Sequence, residues 1–188
     1  MDEYKRKEQE FIESSDKTKS MMSTYIRKVT FRSETVQFPV DYSIVVEDME
    51  NICIEVKKQE DTVVTKECFP ITMEQANEIL DGNYDCLSIF DEQSIKDFYH
   101  ALTNDHLVPT YRKEFTRKTF HQNKYLDIIF DISMSRKPYT ENDLFAPRGF
   151  VFKSDYGNLR MEIRHNLGIS DPMEQLLAFE RELALSQQ

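Results

Sequence analysis

The chain has 188 residues and a formal net charge of -10, with 39% hydrophobic and 12% aromatic residues, which suits one core with at most a small appendage. That acidity works against nonspecific DNA binding, which relies on neutralising phosphates, and four glycines without a G-x-x-x-x-G-K or G-x-G-x-x-G pattern argue against a P-loop or dinucleotide site. Three cysteines fit no zinc spacing, and neither a signal peptide nor a membrane-length apolar run occurs, so the expected setting is reduced and cytoplasmic, with no membrane segment.

Residues 1–23 are charged and polar, as in Asp2-Glu3-Tyr4-Lys5-Arg6-Lys7-Glu8, and are expected to form a polar N-terminal arm or helix. From Thr24 the period changes to two. Lys28, Thr30 and Arg32 share one face of a strand, and Val29 and Phe31 share the other. Asn51 to Lys58 alternates in the same way, with Ile52, Ile54 and Val56 on one side and Cys53, Glu55 and Lys57 on the other. Thr62 to Phe69 is β-branched and completes a hairpin through Gln59-Glu60-Asp61. Thr72 and Gln75 have the spacing of a capping box, and Gly82 lies just beyond the helix they begin. Asp91 to Leu102 is a second helix by the spacing of Ile95, Phe98, Tyr99 and Leu102. Strand character returns over Val108–Phe120, Tyr125–Ser133, Phe150–Lys153 and Leu159–His165. A final helix begins at Asp171-Pro172 with Glu174 completing its cap.

Strands outnumber helices and lie close in sequence, so antiparallel pairing is expected. A strand with charges on one side has two meanings. Either the charged side faces water, or it lines a polar lumen while helices cover the apolar exterior.

Several segments, taken in order, resemble a known family. Glu55-Val56-Lys57 is followed by Lys66-Glu67, Pro70-Ile71-Thr72-Met73-Glu74-Gln75-Ala76 and Ile79-Leu80-Asp81-Gly82. Further on, Pro109 lies six residues before Phe115-Thr116-Arg117-Lys118-Thr119-Phe120. Ile128 to Asp131 and Arg160-Met161-Glu162-Ile163-Arg164 come after it. Together these resemble the VTC domain, the polyphosphate polymerase module of the CYTH-like triphosphate tunnel superfamily, over roughly Tyr25 to Leu185. The resemblance implies an α+β protein: residues 24–188 would form an antiparallel β-barrel with helices packed outside, incomplete where the usual first strand cannot be found.

What the resemblance implies for chemistry is specific. Polyphosphate or a nucleoside triphosphate would occupy the lumen with Mn2+ or Mg2+, and a γ-phosphate would pass to a growing chain. Lys57, Lys66 and Arg117 would be the catalytic cations, and Lys28, Arg32 and Arg164 would bind substrate. Glu162, with Glu55, would hold the metal. Phosphoryl transfer uses such groups to neutralise the equatorial oxygens and align the reactants. Arg112 and Arg117 differ by an odd number, which on a regular strand predicts that one is solvated; Arg117 has the matching neighbours.

Departures from the pattern weaken the expectation of turnover. Asp127 stands where the family has another lumen arginine, Arg164 replaces a lysine, and the closing Ser-Lys-Tyr is absent. Two alternatives follow. One is a non-enzymatic interaction domain, completed by a partner or a second copy that supplies the missing strand. The other is a metal-dependent tunnel triphosphatase, disfavoured because Cys53 begins the stretch Cys53-Ile54-Glu55-Val56-Lys57 where a Glu would be expected. The bland alternative for each cation is a surface cross-strand pair, such as Glu55 with Lys66. The four histidines show no metal spacing, and Cys53 reads as a small filler rather than a nucleophile.

Overall fold

The computed structural model describes residues 21–34, 39–60, 63–123, 126–141, 144–145 and 158–163. Its strands are β1 (Met21–Arg32), β2 (Val40–Glu47), β3 (Asn51–Glu60), β4 (Val63–Pro70), β5 (Val108–Asn123), β6 (Leu126–Pro138) and β7 (Asn158–Ile163). Helices α1 (Met73–Leu80) and α2 (Gln93–Asn104) follow β4, separated by a 3-10 turn at Asp85–Ile89. The hydrogen-bonded order is β4-β3-β2-β1-β5-β6-β7. The pairs β1/β2, β2/β3, β3/β4 and β6/β7 are antiparallel. Among the described residues this order is open, with β4 and β7 at its ends. No helix among them is long and apolar enough to cross a membrane.

The strands differ from the sequence pattern in two places. Strand β1 starts at Met21, so the last residues of the expected polar arm are already extended. The stretch before Asn51, left unassigned by periodicity, contains β2. Its three-residue turn into β3 places Asp48 and Met49 at φ 51° and 64°, both in the left-handed region that such turns require. The Tyr25 N–H donates to Asp48 Oδ1 at 2.7 Å, and the Asp48 N–H donates back to the Tyr25 carbonyl at 2.8 Å. Residues 1–20, the expected strand at Phe150–Lys153 and the C-terminal helix lie outside the described residues.

The chain divides into two compact units, one of 25–115 and 135–153, the other of 1–24, 116–134 and 154–188. In the first, the apolar side of the alternating strands makes the core. Val29 and Phe31 of β1, Tyr42, Ile44 and Val46 of β2, and Ile52, Ile54 and Val56 of β3 are all buried there. They pack with Ala76, Ile79 and Leu80 of α1 and Ile95, Phe98, Ala101 and Leu102 of α2. Phe98 stacks on Tyr42 with ring centroids 4.8 Å apart and meets Phe31 edge-on at 5.2 Å. Burying a side chain of this size contributes about 1.5–3 kcal/mol. Helix α1 starts as its sequence predicts: Thr72 Oγ1 accepts from the Gln75 N–H at 3.2 Å, and Gln75 Oε1 accepts from the Thr72 N–H at 2.8 Å. Gly82, at φ 89°, follows its end.

The second unit contains the far half of β5, most of β6, and β7. Phe120 and Phe130 meet edge-on at 5.8 Å in its buried part. Strand β7 runs antiparallel to β6, with Glu162 opposite Asp127 and Arg160 opposite Ile129.

Candidate functional site

In the unit of 25–115 and 135–153, the helices cover one side of the sheet, and the opposite side carries the charges. Register places them. Thr30 of β1 faces Ser43 of β2, and Lys28 faces Val45. Asp41 and Ser43 face Lys57 and Glu55 of β3, which in turn face Lys66 and Cys68 of β4. Residues directly opposite on paired strands share a side of the sheet, so Lys28, Arg32, Asp41, Glu55, Lys57 and Lys66 share this one. The side chains of Val29, Ile44, Ile54 and Val56 go the other way, into the core.

Glu55 is the hub. It is 7% exposed; its Oε2 accepts from Lys66 Nζ at 2.7 Å, and its Oε1 pairs with Lys28 Nζ. Burial alone would raise the Glu55 pKa, but the two ammonium groups outweigh it and pull it from 4.5 to about 2. Arg32 pairs with Asp41 beside this group. Lys57 and Lys66 are directly opposite one another, an arrangement of like charges that sheet stability alone disfavours.

A second cluster continues from Arg32. The Arg136 guanidinium lies 3.8 Å from the centroid of the Tyr111 ring, and Lys113 Nζ lies 5.5 Å from it. Burial would raise the Tyr111 phenol. A hydrogen bond with Thr30 and the charges of Lys113, Arg32 and Arg136 reverse this and bring it below its usual value. Sequence reading missed Tyr111, Lys113 and Arg136. For the first two the signal was available in the parity of β5, because Tyr111 and Lys113 share a side that Arg112 does not. For Arg136 it was not, because β6 was expected to end at Ser133, and Ser133 has a φ of 54° that breaks the alternation.

Arg112 corrects another expectation. Neither it nor Arg117 is solvated: the side chains are 8% and 16% exposed. Arg112 Nη2 lies 2.7 Å from Glu114 Oε1, and Arg27, 1% exposed, reaches the same oxygen at 3.1 Å. Arg27 also donates to the Leu144 carbonyl at 2.9 Å. This buried cluster fixes the 144 segment to β1 and β5. Glu55 with Lys66 is the cross-strand pair that was the bland expectation, but its carboxylate is buried rather than solvated.

The other unit holds Arg117 and Glu162. Arg117 makes a bidentate contact with Asp131, at 2.8 Å and 3.0 Å. Asp127 is 2% exposed and lies 2.6 Å from His121 Nδ1. Arg164 is outside the described residues, and Glu162 is placed only by its register opposite Asp127. The structure therefore brings together Lys28, Arg32, Lys57, Lys66 and Glu55, and assigns Arg117 and Glu162 to a separate unit. Cys53 lies on the charged side, but burial, with Cys68 and Glu55 nearby, pushes its thiol up to about 12. Little thiolate forms at such a value, so nucleophilic chemistry at Cys53 has no support.

The expected divalent metal fits poorly at Glu55. Both carboxylate oxygens are engaged by lysines, and among the described residues no three His, Cys, Asp or Glu side chains converge to hold an ion.

Comparison with known proteins agrees with the fold. A family model described as "VTC domain" matches residues 40–186. No curated protein sequence is similar enough to match. Among solved structures, an adenylate cyclase candidate from Bacillus halodurans is similar with a TM-score of 0.59 and 10% identity, covering 100% of this chain and 85% of its own. The PH1819 protein of Pyrococcus horikoshii OT3 is similar with a TM-score of 0.50 and 13% identity, covering 99% and 85%. At these identities the likeness is one of fold.

Proposed function

The chain belongs to the VTC domain family, and on that footing we propose that the charged sheet side of the 25–115 unit binds the phosphate groups of polyphosphate or a nucleoside triphosphate. One observation carries the reading: Lys28, Arg32, Lys57 and Lys66 share the side of the sheet opposite the core. Lysine offers a compact charge and arginine a bidentate fork to phosphate oxygens. Tyr111, Lys113 and Arg136 extend the same surface. The protein's overall charge of -10 does not oppose this, because a local field can run against the net charge.

Binding rather than rapid turnover is the better-supported activity. Lys28, Lys66 and Arg32 already have carboxylate partners in Glu55 and Asp41. Phosphoryl transfer depends on uncompensated positive charge aligned on the transferring group. A phosphotransferase role would therefore be slow.

Thermal shift tests the reading. Tripolyphosphate at 100 times its Kd should stabilise the folded protein by about 2.7 kcal/mol, or several degrees in Tm. The double variant Lys57→Ala/Lys66→Ala should lose this shift. Lys58→Ala should keep it, since Lys58 points to the helix side and donates to Ser94 at 3.1 Å. An unchanged shift in the double variant would remove the site.

A further inference from the structure

We propose that Glu55 is a built-in counter-ion that occupies a phosphate position between Lys28 and Lys66 and so sets the affinity of the site for polyanions. The inference rests on the phosphate-binding reading above and assigns Glu55 a role different from metal ligation. Three observations support it.

First, the two oxygens of one carboxylate are divided between two lysines from different strands, Lys66 on β4, which pairs with β3, and Lys28 on β1, which reaches across β2. A phosphate oxygen pair would take the same contacts. Second, exposure is uneven. The Glu55 side chain is 9% exposed, whereas Lys28 is 21% and Lys66 41% exposed. The lysines can be reached by a ligand from the open side while the carboxylate sits beneath them. Third, both carboxylate oxygens face ammonium groups, which favour the charged form over the protonated one. It therefore competes at full strength. A divalent cation brought to Glu55 would instead have to displace two ammonium groups that repel it.

A ligand phosphate must either pull Lys28 and Lys66 away from Glu55 or bind alongside a fixed negative charge. Either route weakens binding relative to the same cations alone, and it does so most for short ligands with few other contacts. Longer chains compensate through Lys57, Lys113 and Arg136.

The test is calorimetric titration of the full chain with tripolyphosphate, with and without Mg2+, for wild type and Glu55→Gln. The substitution keeps the side-chain volume and removes the charge. Removing one negative charge within contact distance of the ligand should tighten binding at least about tenfold, in the absence of Mg2+. Equal or weaker binding by Glu55→Gln, with the wild type binding, overturns the proposal. So does a wild-type gain from Mg2+ that the variant loses, because that identifies Glu55 as a metal ligand. Binding by neither protein overturns the phosphate-binding reading itself. A measurement on the wild type guards against a variant that misfolds: the Glu55 carboxyl is followed by 13C NMR against pH. Tripolyphosphate should raise its pKa by drawing the lysines away and adding negative charge. No rise with ligand bound overturns the proposal.

Discussion

Arg27, Arg112 and Glu114 show how much a single position depends on its neighbours. Two arginines share one glutamate oxygen on the core side of the sheet, at 3.1 and 2.7 Å, with side chains 1%, 8% and 6% exposed. Nothing local marks these residues as buried, because charged side chains are ordinarily at the surface. Only the placing of β1 beside β5 supplies the partner that makes burial tolerable. Glu114→Ala would leave two guanidinium groups without their carboxylate, and breaking a buried pair in this way costs about 3–5 kcal/mol. Urea denaturation should show that loss as a lower midpoint. A change under about 1 kcal/mol would mean that the cluster is solvated, as surface pairs are. Glu55 is the contrasting case. Its alternation with Cys53 and Lys57 was legible, but its partner Lys28 lies 27 residues away, beyond any periodicity.

The elements were legible where a local signal existed. Thr72 and Gln75 form the capping box that their spacing predicts, and α1 and α2 fall within two or three residues of the expected bounds. The cap makes a measurable contribution: Thr72→Ala should destabilise the protein by about 1 kcal/mol, read by thermal or urea unfolding. Tripolyphosphate affinity should be unchanged, because α1 packs on the core side, away from the charges. A loss of affinity equal to that of the lysine variants would mean that the helix belongs to the site. Strand β2 was missed for a physical reason. Its hairpin turn uses Asp48 and Met49 in left-handed conformations, where Asn-Gly or Asp-Gly is the usual sequence mark. Without that mark, the run Val40–Glu47 had no visible boundary before β3.

For the whole molecule, the open strand order raises the question of a completing partner. Strand β4 stands at one end of the order among the described residues. It carries Lys66 and Glu67 in its exposed stretch and closes at Pro70. Charges and proline on an edge are devices against strand addition. Sedimentation equilibrium should therefore give the 22.4 kDa of one chain over a wide concentration range. A concentration-dependent dimer that dissociates on Val64→Lys would favour the interaction-domain alternative, since Val64 is exposed on this strand. By itself the sequence determined which residues share a strand side, where α1 begins and which family pattern the chain follows, because these depend on contacts within a few residues. It could not determine that Glu55 lies between Lys28 and Lys66, that Arg112 is buried on Glu114, or that Arg136 lies over Tyr111. Those depend on register across β1 to β6, and register is settled only when the apolar sides of distant strands are buried together.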